Sequence, residues 1–255
     1  MLRLPREVLT ALRRGRISPN AMIGRMVDAV LFDFSGTLFH CESAESWLRA
    51  ALAQAGFAAT DAEVATYAAR LHESGGQPGG HSEFDVPAHL ADLWARRDLT
   101  ADDHRAAYTA LVERAELPWP GLADVLYERH CAPEAWEAYP DTIAVLKLLR
   151  DRRVPVVVVS NIGWDLRTVF KHFNVDHLIA GYVLSYEVGM KKPDPAVFGL
   201  ACELAGCSPA DALMVGDNAI ADAGAAAIGC SFRLVSHVPA AQRPRALLDA
   251  VGECG

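Results

Sequence analysis

Four places along the chain set chemically capable side chains directly after apolar runs. In VLFDFSGTLFH, residues 30–40, Asp33 closes an apolar stretch and is followed by Ser35, Gly36 and Thr37. In VPVVVVSN, residues 154–161, the run ends in Ser160 and Asn161. GMKKPDP, residues 189–195, supplies Lys192, and DALMVGDNAIAD, residues 211–222, supplies Asp217, Asn218 and Asp222. A carboxylate able to attack, a hydroxyl, an ammonium and further acids outline a site for a phosphoryl group and a hard cation. Carboxylates ligate such a cation, and hydroxyls and ammonium groups hold phosphoryl oxygens. Taken singly, each residue has a plain structural reading. Asp33 caps a turn, Ser160 caps a helix near residue 164, Lys192 is a surface charge and Asp217 an N-cap. Taken together, in chain order and each at a strand end, they point to one site.

The elements that must carry them are short and β-branched. DAVLFDF (28–34), VPVVVVSN (154–161), GYVLSYE (181–187), DALMVGD (211–217) and FRLVS (232–236) read as buried parallel strands. Helical patterns separate them. PDTIAVLKLLRDR (140–152) has one apolar face and Asp141 placed to cap its start, and ADAGAAAIG (221–229) is a small-residue helix able to lie close to a sheet. Alternating strands and helices predict an α/β fold with a parallel, doubly wound sheet, which binds ligands beyond the carboxyl ends of its strands. Residues 40–138 break the rhythm with helical periods in AESWLRAALAQAGF, DAEVATYAARLHES, PAHLADLWARRD, ADDHRAAYTALVERA and LADVLYERHC. GGQPGG (75–80) reads as a flexible loop between two of these helices.

Composition limits the class. The chain has 255 residues, 51% hydrophobic and 22% charged, enough for a large packed core. No apolar run is long enough to span a bilayer, and the arginine-broken N-terminus lacks a signal-type apolar stretch. A soluble, cytoplasmic protein is expected. The cysteines at 41, 131, 202, 207, 230 and 254 form no CxxC pair and read as reduced thiols. Net charge is −8, although residues 1–26 carry Arg3, Arg6, Arg13, Arg14, Arg16 and Arg25 against Glu7. With no basic patch elsewhere, this arm reads as a solvated extension, or as extra sequence ahead of a later start, and not as a nucleic-acid footprint.

The four stretches resemble the motifs of the haloacid dehalogenase (HAD) superfamily of hydrolases: DFSGT the first, VVVSN the second, KPDP the third and VGDNAIAD the fourth, over residues 27–236. The resemblance implies a Rossmann-like core of residues 27–39 and 139–255, a helical cap domain at 40–138, and an N-terminal basic extension at 1–26. It also implies roles. Asp33 would be the nucleophile that becomes an aspartyl-phosphate. Asp33, the carbonyl of Ser35 and Asp217 would hold Mg2+. Ser160 and Lys192 would bind the phosphoryl group, Asp222 would orient Lys192 or the metal shell, and Thr37 would hold the turn. Asn161 and Asn218 would stand behind these, Asn161 near the substrate.

Ser35 departs from the pattern. The superfamily's phosphatases carry a second aspartate there, which protonates the leaving oxygen and then activates water. A serine hydroxyl titrates too high for either task, although its carbonyl still reaches a metal. One reading is a Mg2+-dependent phosphatase of a small phosphorylated metabolite, with that acid/base weak, missing or supplied by the cap or the substrate. A second is a 2-haloacid dehalogenase-like hydrolase, but that branch carries a tyrosine in place of Ser35 and lacks the acid matching Asp217. A phosphonate-cleaving relative needs a cap lysine, and the lysines are only Lys147, Lys171, Lys191 and Lys192. A non-catalytic phosphate-binding or regulatory protein is the remaining alternative. For the substrate entrance the candidates are His40, Glu42, Trp47, His81, Glu83, His104 and Arg105, each with an ordinary surface or core reading favoured. Trp94, Trp119 and Trp136 read as packing anchors.

Overall fold

The computed structural model describes residues 27–79 and 84–252. The basic arm 1–26, His81, Glu83 and Cys254 lie outside the described residues.

Five strands form one parallel sheet: β1 (Ala29–Phe32), β4 (Val156–Ser160), β5 (Gly181–Leu184), β6 (Ala212–Gly216) and β7 (Ser231–Leu234), in the order β5-β4-β1-β6-β7. β1 is central, with Val30 opposite Val156 on one side and Leu213 on the other. The apolar runs are continuous because both faces of the sheet are covered. Successive side chains point to opposite faces. Val30, Phe32, Val156 and Val158 therefore pack with Val145, Leu146 and Leu149 of α6 (Thr142–Asp151), Phe170 of α7 (Arg167–His172), and Leu247 and Val251 of α10 (Ala246–Gly252). Leu31, Val157 and Val159 pack on the other face, against Val197, Phe198 and Ala201 of α9 (Pro195–Ala205). This is the doubly wound α/β arrangement expected, with the short α8 (Ser185–Val188) following β5.

Two local readings change. The segment expected as a helix at 221–229 is helical but wound as a 3₁₀ helix, Asp222–Ile228, ended by Gly229 in the left-handed region. Asp141 does not cap its own helix with its side chain. Its Oδ2 accepts from the amides of Leu247 (2.8 Å) and Leu248 (3.0 Å), so it caps α10, more than a hundred residues on.

Between β1 and α6 the chain makes a helical excursion. It leaves and returns through a two-stranded antiparallel ribbon, β2 (Phe39–Cys41) against β3 (Trp136–Ala138). Between these lie α1 (Ala44–Ala55), α2 (Asp61–Ser74), α3 (Ala91–Arg96), α4 (Ala101–Glu113) and α5 (Leu122–Cys131). Side chains fix several helix starts: Ser43 caps α1, Thr60 and Glu63 form a capping box on α2, and Thr100 caps α4. The helices have their own core of Trp47, Leu48, Leu52, Val64, Leu71, Leu122 and Leu126. Among the described residues no helix is long and apolar enough to cross a membrane.

Candidate active site

β1 ends at Phe32, and the next residue, Asp33, is buried with its amide bonded to the Val215 carbonyl at 3.0 Å. The chain then coils round this carboxylate. The Phe34 carbonyl accepts from the amides of Leu38 and Phe39, both at 3.0 Å, and Gly36 N donates to Phe39 O at 2.7 Å. Thr37, fully buried, donates from Oγ1 to Asp33 Oδ2 at 3.2 Å. Gly36 sits at φ +80°, and a Cβ there would run into Asp217 Oδ2 and lie 2.7 Å from His237 Nδ1. Glycine is required on both counts.

Lys192 is buried at the centre. Its Nζ donates to Asp33 Oδ1 and to Asp222 Oδ1, both at 2.6 Å. Asn161 latches the backbone of Lys192: its Oδ1 accepts from Lys192 N at 2.7 Å and its Nδ2 donates to Lys192 O at 2.9 Å. The amide expected near the substrate is thus engaged in placing the ammonium. Asp222, fully buried, also accepts from Asn218 N at 2.9 Å, and the Asn218 side chain holds the amides of Ile220 and Ala221. Ser160, buried at the end of β4, lines the same cavity.

Asp33, Asp217 and Asp222 each offer a carboxylate oxygen, all within 4.8 Å of one another. Burial raises Asp33 to about 7; Lys192 opposes this, and Asp222 and Asp217 add to it. Burial works against the charge of Lys192, but Asp33 and Asp222 outweigh it and hold the ammonium above the usual lysine range. Lys192 pairs with two of these three clustered acids, Asp33 and Asp222, which leaves more carboxylate than ammonium in the cluster. An all-oxygen donor set with that excess fits a hard divalent cation.

Two residues of the site carried no signal in the sequence. His237 Nδ1 lies 2.9 Å from Asp217 Oδ2. Arg243, buried, donates from Nη1 to Gly36 O (2.7 Å) and Ser236 O (3.3 Å) and from Nη2 to Thr37 O (2.9 Å). Its guanidinium lies 3.7 Å over the Tyr139 ring. It joins the turn after Asp33 to the loop that carries His237.

A cavity of about 380 Å3 opens above Asp33, between the strand ends and the helical excursion. The excursion contributes Gln77, Pro78, Gly79, Trp94, Arg97 and His104, among others. Of the entrance candidates, His104 lines it. Arg105 instead pairs with Asp124 at 2.7 Å, His40 packs edge-on to Tyr139 in the ribbon, Glu42 pairs with Arg129 at 2.6 Å, and Trp47 donates to Leu126 O within the helical core. Trp94 and Trp136 line the cavity, whereas Trp119 stacks edge-on with Tyr67. Gly79 sits over Ser35 at φ +72°, where a Cβ would be 2.7 Å from Ser35 Oγ.

His104 and His130 are buried side by side, their rings 6.4 Å apart. Burial, and then Arg97, push His104 down to about 3, and burial lowers His130 well below its usual value. Both are neutral in the fold at pH 7. Unfolding frees them to titrate near 6.5, so the unfolded chain binds more protons as pH falls below that value. Stability attributable to these histidines is therefore present at neutral pH and lost between about 6.5 and 3. Calorimetry from pH 7 to pH 5 is expected to show a falling melting temperature, with a shallower slope in His104→Asn.

A haloacid dehalogenase-like hydrolase family model matches residues 27–228. The chain belongs to this family of hydrolases. It is 27% identical over 213 residues to a phosphoglycolate phosphatase of Neisseria gonorrhoeae, covering 80% of this chain and 78% of that protein. It is 34% identical over 152 residues to a phosphoserine phosphatase of Thermus thermophilus, covering 54% and 57%. With other curated relatives the chain spans about half of their length. In fold it is similar to an L-2-haloacid dehalogenase of Xanthobacter autotrophicus, with a TM-score of 0.59, 20% identity, and 88% and 83% of the two chains covered.

Proposed function

We propose that this chain is a Mg2+-dependent phosphatase of small phosphorylated molecules, with Asp33 as nucleophile and the helical excursion as its cap. One observation carries the reading: carboxylate oxygens of Asp33, Asp217 and Asp222 lie within 4.8 Å of one another beyond the ends of β1 and β6, with Lys192 bridging Asp33 and Asp222. That is an excess of buried carboxylate suited to a divalent cation and a phosphoryl group together. Asp217 also argues against the dehalogenase reading, in which that acid is absent.

Asp33, the Ser35 carbonyl and Asp217 would hold the cation, which lessens the repulsion between an anionic nucleophile and an anionic substrate. An Asp33 carboxylate oxygen attacks phosphorus, the bond to the ester oxygen breaks, and the alcohol departs after taking a proton from water. Ser160 and Lys192 hold the phosphoryl oxygens. Water then attacks the phosphorus of the aspartyl-phosphate, releasing inorganic phosphate and restoring the carboxylate. Turnover of a phosphate-ester panel, with Mg2+ and with chelator, tests the reading. Chelator is expected to abolish turnover and Mg2+ to restore it. Full-rate release of halide from a haloacid in chelator decides for the dehalogenase, and intact Mg2+ binding without turnover of any ester decides for a binding protein.

Ser35 predicts a slow second step, since no carboxylate stands at that position to take the proton of the attacking water. Rapid quench with an aryl phosphate is expected to show accumulated aspartyl-phosphate. Ser35→Asp is expected to shorten its lifetime, by up to the roughly 10^2 to 10^4 that general acid–base catalysis contributes. The longer side chain must also displace Gly79, so KM should rise in the same variant. Absence of any detectable intermediate, together with fast hydrolysis of poor leaving groups, would overturn this account.

A further inference from the structure

Resting on the phosphatase reading, we infer that the substrate is a phosphate monoester whose organic part is flat, apolar and uncharged. The phosphoryl end is set by Asp33, Ser160 and Lys192. The part of the cavity away from them is walled by Phe84, Trp94, Tyr108, Trp136 and Trp164.

The charges of that wall are spent within the protein. Arg97 lies with Nη2 3.3 Å from Asp98 Oδ2, donates from Nη1 to Trp94 O at 2.8 Å, and stands 3.9 Å over the Trp94 ring. Its charge is matched by a buried acid and its face by an indole. His104 Nδ1 is 2.8 Å from Tyr127 OH, and both it and His130 are neutral at pH 7. Gln77 has its amide on the Glu42 carbonyl at 2.8 Å. A carboxylate or second phosphate placed here would lose its water and, among the described residues, meet no unmatched cation, which is strongly unfavourable. A polyol would leave most of its hydroxyls unpaired. A flat apolar group loses nothing and gains ring contacts. The buried N–H groups of Arg97 Nε and Trp164 Nε1, which have no partner, are compatible with a single neutral acceptor on that group. The cavity volume, about 380 Å3, lies near the lower end for small-ligand sites.

This sets the chain apart from phosphoglycolate and phosphoserine, which both carry a carboxylate. Benzyl phosphate and phosphoglycolate make a fair pair, because both release an alkyl alcohol and differ in the body that the wall must accept. The measurements are kcat/KM for each with Mg2+, and calorimetric binding of benzylphosphonate and phosphonoacetate to the Mg2+-loaded wild type. Benzyl phosphate and benzylphosphonate are expected to be preferred by about tenfold or more. Trp94→Ala is expected to narrow that gap by lowering kcat/KM for benzyl phosphate more than for phosphoglycolate, with Trp94→Leu as a second variant should the first fold poorly. Preference for phosphoglycolate or phosphoserine, or equal binding of the two phosphonates, overturns the inference and leaves the phosphatase reading standing. Preferred binding of benzylphosphonate without hydrolysis of either ester supports the pocket's choice of a flat, apolar body and overturns the phosphatase reading, and with it the assignment of that ligand as a substrate.

Discussion

Asp33→Asn is expected to lower turnover by about 10^4-fold or more, the scale on which loss of a covalent nucleophile acts. The amide oxygen cannot attack phosphorus, yet the side chain keeps its shape. Its carbonyl oxygen still accepts from Lys192 Nζ, now 2.6 Å from Oδ1, and its amino group still faces Thr37 Oγ1, now 3.2 Å from Oδ2. The fold should therefore survive, and circular dichroism with thermal melting checks that it does. Steady-state kinetics and acid-quench labelling then read the chemistry. Turnover above about one part in a hundred in a clean preparation, beyond what the scale of nucleophile loss allows, would remove Asp33 from the role of nucleophile.

Lys192→Met is expected to damage stability as well as turnover. The ammonium separates two buried carboxylates, each 2.6 Å away, and methionine leaves both without a cation. Breaking a buried pair from one side costs about 3–5 kcal/mol. For a chain of this size that is a drop of roughly 6–20 °C in melting temperature. Adding Asp222→Asn should recover part of the loss by removing one orphaned charge, a coupling that a double-mutant cycle measures. Lys192→Arg keeps the charge and should melt nearer to wild type, though its planar fork does not reproduce a point ammonium between two oxygens. A Lys192→Met protein that melts with the wild type would show that the ion pairs carry no net stability.

The main elements were legible because chemistry and folding marked the same residues. Asp33, Ser160 and Asp217 each follow a β-branched run, and a run buried on both faces is written in every residue of it. The helices at 44–55 and 61–74 were legible from their period, and the structure adds the caps Ser43 and Thr60 ahead of them. Arg243 and His237 were not. Arg243 bonds to carbonyls more than two hundred positions back, and a carbonyl is present at every residue, so no pattern announces the partner. Asp141 misled for a related reason: the amides it caps belong to a helix that reaches it only in the folded chain. The ribbon β2–β3, three residues to a strand, is too short for alternation to show.

That ribbon has a consequence for how the chain can vary. Phe39 pairs with Ala138 and Cys41 with Trp136, so the outgoing and returning backbones travel side by side. The ends of the excursion are thus held together whatever lies between them, and a longer or shorter segment changes the closure entropy only slowly. The turn after Asp33 stays fastened independently, through Arg243 to the carbonyls of Gly36 and Thr37. The helical segment and the turn after Asp33 can accordingly diverge at different rates in descendants of this chain. A foreign helical segment spliced in at Cys41 and Trp136 would inherit a ready-made joint.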